Sequence, residues 1–136
     1  MHKTRITGWI AAAAIAFTLL LIVGCNSGKT VELGSDDNGK TIALEVGQTP
    51  AITLDSNPTT GYSWEATGEH EELVQAGEPE YKQRNQDKQL VGAGGQETLH
   101  FEAKQAGQVR LELVYHRPWE KGTNPAETFA VDVTIK

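Results

Sequence analysis

From Thr41 to the C-terminus the apolar residues recur at every second position, in runs too short to be anything but strands. Ile42, Leu44 and Val46 alternate with Thr41, Ala43 and Glu45, and Gly47-Gln48-Thr49-Pro50 then reads as a turn. Ile52 and Leu54 follow, Tyr62 and Trp64 alternate with Ser63 and Glu65, and Leu99, Phe101 and Ala103 alternate with Thr98, His100 and Glu102. The clearest run sets Val109, Leu111, Leu113 and Tyr115 on one face and Arg110, Glu112 and His116 on the other. Phe129, Val131, Val133 and Ile135 give the last strand, while Leu73–Ala76 and the surroundings of Tyr81 give fainter signals. No segment after Cys25 sustains an i, i+3, i+4 apolar pattern. The chain is therefore all-β, and about seven to eight short strands in roughly 100 residues predict an immunoglobulin-like antiparallel β-sandwich. A buried Leu or Phe contributes about 1.5–3 kcal/mol, so the inward set forms an adequate core without disulfides.

The N-terminus has a different character. His2, Lys3 and Arg5 precede an uncharged apolar run from Trp9 to Val23, shorter than the ~20 residues of a spanning helix. Basic, apolar and small-residue regions in that order read as an export signal. Leu21-Ile22-Val23-Gly24-Cys25 resembles the lipobox of bacterial lipoproteins, which implies cleavage before Cys25 and lipidation of its sulfur; a plain signal peptide or an N-terminal anchor is the simpler reading. Cys25 is the single cysteine, so no intramolecular disulfide is possible. Three segments are expected: a lipoprotein signal peptide over 1–24, a lipidated Cys25 with a Ser/Gly/Asp/Asn-rich tether over 25–39 carrying a short strand at Thr30–Leu33, and one domain over 40–136. The product would be an exported, membrane-anchored lipoprotein on the cell envelope or in the periplasm. All 18 acidic residues follow Gly24, and 12 basic residues less Lys3 and Arg5 leave 10, a net charge of −8 for the mature part. That balance argues against nucleic acid or anionic headgroups as partners, leaving membrane contact to the lipid.

Three unusual stretches interrupt the strands. Asn57-Pro58-Thr59-Thr60-Gly61-Tyr62 combines a fixed proline φ, two β-branched residues and a glycine free to take positive φ, which makes a stiff turn. Residues 84–96 hold Leu90, Val91 and Gly92-Ala93-Gly94-Gly95, either a binding loop or a floppy hairpin tip. No lysine or helix start follows these glycines, so they are not a phosphate cradle. Residues 116–122 carry Arg117-Pro118-Trp119, whose indole either tucks onto the sandwich or presents a rigid apolar surface beside a cation. If consecutive strands run antiparallel, alternate connections share an end, so parity alone brings these three loops together.

NPTTGY, GAGG and RPW in that order, on short alternating strands, resemble the chagasin-type inhibitors of cysteine peptidases, from about Lys40 to Lys136. The resemblance implies an immunoglobulin-like inhibitor, not an enzyme, that wedges loops 57–62, 84–96 and 116–122 into the active-site cleft of a papain-like cysteine peptidase. It implies a peptidase-binding set of Asn57, Pro58, Thr59, Thr60, Gly61, Tyr62, Leu90, Val91, Gly92, Gly94, Gly95, Arg117, Pro118 and Trp119. Thr59 and Thr60 would approach the catalytic Cys and His. Arg117, Pro118 and Trp119 would pack on one side of the cleft, and the middle loop would line the other, with Leu90 or Val91 in an apolar subsite.

The remaining polar residues offer little chemistry. His70, His100 and His116 lack metal-ligand spacing, and the outward parity of His100 and His116 predicts solvent exposure. Ser56 and Ser63 have no credible His–Asp pair, and Glu69, Glu71 and Glu72 read as a solvated turn. No cofactor and no metal are expected, and a wedge acting alone suits a monomer. The rival reading is a surface adhesion or envelope-assembly module using the same loops for another ligand.

Overall fold

Each alternating run becomes a strand because its apolar parity is removed from water only when a second sheet covers it. The computed structural model describes residues 28–84 and 94–136. The segment 1–24, Cys25, and Leu90, Val91 and Gly92 lie outside the described residues. Nine strands are described: β1 (Thr30–Leu33), β2 (Thr41–Leu44), β3 (Thr49–Ser56), β4 (Ser63–Thr67), β5 (Leu73–Gln75), β6 (Glu80–Gln83), β7 (Gly95–Ala103), β8 (Gly107–His116) and β9 (Glu127–Ile135). One sheet has the order β1-β3-β7-β5, with β6 also paired to β7, and the other has the order β2-β9-β8-β4.

The expected antiparallel sandwich is present, with β3 on β7, β4 on β8 and β8 on β9 all antiparallel. Two edge strands that precede this set, β1 and β2, add parallel pairings to β3 and β9 and raise the count beyond eight. Ile52 and Leu54 from β3 and Leu99, Phe101 and Ala103 from β7 face Trp64, Leu111, Leu113, Phe129, Val131 and Val133 in one continuous core. This is the inward set that the period of two predicts.

Three local expectations are corrected. Val46 does not continue β2 and is 45% exposed. The chain has already turned at Glu45, whose N–H donates to Gln48 Oε1 at 2.8 Å. Thr49 and Pro50 belong to β3 instead of a turn. Pro50 stands near the start of that strand, before its pairing with β7 begins at Ala51↔His100, where a missing N–H costs no ladder bond on that side. His100 and His116 are half-buried, not solvent-exposed. His116 Nε2 lies 2.6 Å from the Glu65 carboxylate of the neighbouring strand, and His100 Nε2 is buried 3.7 Å from Glu80 on β6.

Phe101 is 1% exposed at the centre of this core. Phe101→Ala is expected to cost ~3–5 kcal/mol, read as a lower urea midpoint at unchanged slope.

Candidate functional site

The described ends of all three unusual loops lie at one end of the sandwich. Ser56 pairs with Gly95, Gln83 with Gly95 and Ser63 with His116, so the ends of loops 57–62, 84–94 and 116–126 emerge side by side. The parity of the strands produces this arrangement, as the sequence led one to expect.

The first loop is a single 3-10 turn, Pro58–Thr60, and its sequence explains why. Proline at the first helical position lacks only an N–H that would have no partner there. Asn57 caps the turn: its Oδ1 accepts from the Thr59 N–H at 3.3 Å and from Thr59 Oγ1 at 2.6 Å. Thr60 donates twice to the Asn57 carbonyl, through its N–H at 3.1 Å and its Oγ1 at 2.6 Å. Gly61 ends the turn at φ +80°, donating to the Pro58 carbonyl at 3.0 Å. Thr59 and Thr60 stand exposed at the tip.

Beneath the turn, the Asn57 N–H donates to the Tyr115 hydroxyl at 2.8 Å. The Tyr115 ring lies between Tyr62 and Trp64, with centroids 5.2 and 5.1 Å away. Trp64 in turn donates its indole N–H to the Asp55 carbonyl at 2.9 Å. An aromatic column from the second sheet thus supports a loop that leaves the first.

The third loop is a tight turn closed by the Glu120 N–H on the Arg117 carbonyl at 3.0 Å, with Pro118 at the position that suits its fixed φ. Arg117 faces inward along this edge. Its Nε donates to the Thr60 carbonyl at 2.9 Å, a terminal nitrogen pairs with Glu120 at 3.0 Å, and its guanidinium carbon sits 4.5 Å over the Tyr62 ring. Arg117 therefore ties the first and third loops together. Trp119 is 67% exposed, yet the edge of its indole rests on Gly61: a Cβ at Gly61 would overlap Cη2 and lie 2.9 Å from Cζ2. The two readings of Trp119 meet in one pose, anchored along one edge and open to solvent elsewhere.

Of the middle loop the described residues are its two ends. Arg84 pairs with Asp55 of β3 at 2.6 Å, and the Arg84 N–H reaches the Gly94 carbonyl at 3.4 Å. Gly94 is half-buried, and Gly95 is buried inside β7, where a Cβ would collide with the Lys82 backbone of β6. Gly95 thus lets β6 approach the root of the loop. Two residues that support this edge, Tyr115 and Glu97, are absent from the sequence-derived set. Tyr115 reads as core, and Glu97 is hidden beside the glycine run; its one signal is a charge at an inward position of the 95–103 alternation.

Residues 43–133 match the family model described as the chagasin family peptidase inhibitor I42. Chagasin from Trypanosoma cruzi is 38% identical over 96 residues, spanning 69% of this chain and 87% of that protein. The chain belongs to the chagasin family. Two solved structures share its fold. The cysteine protease inhibitor EhICP2 from Entamoeba histolytica aligns with a TM-score of 0.70 at 23% identity, over 79% of this chain and 96% of that one. PbICP-C in complex with falcipain-2 aligns with a TM-score of 0.54 at 23% identity, over 80% of this chain and all of that one (100%). Chagasin-family membership makes this chain a peptidase inhibitor, not an enzyme.

Gly61 carries two constraints of this chagasin-family edge, a left-handed φ and contact with Trp119. Gly61→Ala is expected to cost ~1–2 kcal/mol of stability and to shift the Trp119 fluorescence maximum as the indole is displaced.

Proposed function

We propose that this chain inhibits papain-like cysteine peptidases by inserting loops 57–62, 84–96 and 116–122 as one wedge into the active-site cleft, and that lipid on Cys25 holds it at the cell envelope. The observation that carries the wedge is the lock between the first and third loops, made by Arg117 on the Thr60 carbonyl and by Trp119 on Gly61. Loops already fixed to one another lose little freedom on docking, so more of the contact energy remains as affinity. Pro58, Thr59, Thr60, Pro118 and Trp119 are exposed along this locked edge, an apolar and hydroxyl-bearing ridge suited to a cleft.

The same geometry explains how the ridge would resist cleavage. A peptidase must bring a carbonyl carbon into near-attack geometry on its nucleophile. In the first loop the carbonyls of Asn57, Pro58 and Thr60 already accept hydrogen bonds within the inhibitor. Reaching an extended, reactive conformation would break these bonds together with the Gly61 turn. Leu90, Val91 and Gly92 complete the wedge from the middle loop, with an aliphatic side chain in the apolar subsite. A single copy is sufficient for this action. Chagasin-family membership favours it over an adhesion module, which has no observation of its own in support.

Inhibition of papain under reducing conditions is the direct test. Tight, reversible inhibition is expected, weakened by about 2 kcal/mol, or roughly thirtyfold, in Trp119→Ala. Thr60→Ala is expected to weaken it as well, and unchanged inhibition constants in both variants would exclude the wedge. For the anchor, Cys25→Ser is expected to move the protein from the membrane fraction to the soluble fraction without altering its inhibition constant.

A further inference from the structure

Glu97 is 6% exposed, on the inward face of β7, where its neighbours of the same parity are Gly95, Leu99, Phe101 and Ala103. A carboxylate there is costly unless its hydrogen bonds are made. One oxygen, Oε2, makes two of them: it accepts from Ser56 Oγ at 2.9 Å and from the Trp64 N–H at 3.3 Å. These two donors flank the first loop. Ser56 is the last residue of β3, directly before Asn57, and Trp64 is the second residue of β4, two beyond Tyr62. They also belong to different sheets, so a single oxygen closes the mouth of the loop and joins the two layers beneath it.

The topology shows why an acceptor is needed. Among the described strands β4 is at an edge, with β8 on one side only, so an N–H aimed away from β8 has no ladder partner there. Glu97 supplies that partner at Trp64, while the Trp64 indole N–H is held by Asp55. An apolar residue at 97 would suit the core but would leave two buried donors unpaired and both ends of the loop untied.

We infer that Glu97 is a positioning residue for inhibition, bracing both flanks of the first loop so that Thr59 and Thr60 are presented in one conformation; this rests on the wedge reading above. It touches no peptidase and acts through the loop. Glu97→Gln keeps an acceptor oxygen at the same reach, whereas Glu97→Met keeps the volume and removes the acceptor.

The test compares these variants of the full chain by papain inhibition and by backbone hydrogen exchange. Glu97→Met is expected to raise the inhibition constant about tenfold or more and Glu97→Gln no more than about threefold, the difference being the two lost bonds. In Glu97→Met, exchange at Trp64 and residues 59–62 should accelerate by about tenfold while residues 129–135 of β9 stay at wild-type rates. Should Glu97→Met fail to fold, Ser56→Ala removes one of the two bonds and should show the same localised acceleration at smaller size. Wild-type exchange in the first loop of a folded Glu97→Met or Ser56→Ala protein would overturn the inference. So would acceleration spread evenly through β9. Exchange requires no peptidase, so failure of the wild-type chain to inhibit papain would count against the wedge alone.

Discussion

Where Gly61 would carry a side chain, the indole of Trp119 is already in place. That contact joins residues far apart in sequence, and much of the functional edge depends on it. The first loop has to end in a left-handed residue to turn back into β4, and only glycine does so without a Cβ penalty. The absence of that Cβ is also what lets the third loop lie against the first. Arg117 then secures the pair through the Thr60 carbonyl, and its stacking over Tyr62 ties the lock to the aromatic column below. Removing any one of these contacts would loosen a surface that no strand pairing holds.

The polar groups at this end follow the same logic. Thr59 and Thr60 direct their hydroxyls to Asn57, and the Asn57 N–H goes to Tyr115. Bonds made within the turn stiffen it while Pro58, Thr59 and Thr60 stay exposed. Among the described residues near the edge, Arg117 pairs with Glu120 and Arg84 with Asp55, and His116 Nε2 lies within hydrogen-bond reach of Glu65. Exposed pairs of this kind contribute little stability, about 0–1 kcal/mol each. Their use here is geometric: Arg117–Glu120 closes the third loop on itself, Arg84–Asp55 ties the root of the middle loop to β3, and His116–Glu65 joins the end of β8 to β4.

The loop chemistry was legible in sequence because Pro58, Gly61 and Pro118 act through their own backbone, which requires no knowledge of neighbours. The sandwich was legible because a period of two leaves no other way to cover Leu111, Leu113, Val131 and Val133. What escaped depends on contacts between distant segments. Val46 fits the alternation of Ile42 and Leu44, and the end of the strand shows only in the turn that Gln48 closes, its N–H on the Glu45 carbonyl and its side chain on the Glu45 N–H. Tyr115 continues the apolar face of β8, while its hydroxyl reaches a loop 58 positions earlier. Glu97 follows glycines that read as loop, so its inward parity becomes visible only once β7 is seen to begin at Gly95.

The central claim is that this edge enters the catalytic cleft, and the most direct measurement is protection of the nucleophile. Papain would be titrated with the inhibitor and then exposed to an alkylating agent that labels its catalytic cysteine, with labelling read by mass. Complete protection at one inhibitor per enzyme, becoming incomplete when Trp119 is replaced by Ala at the same concentrations, is the result the wedge requires. Labelling at the rate of free papain, in the presence of a complex shown to have formed, would place the inhibitor elsewhere on the enzyme and contradict it.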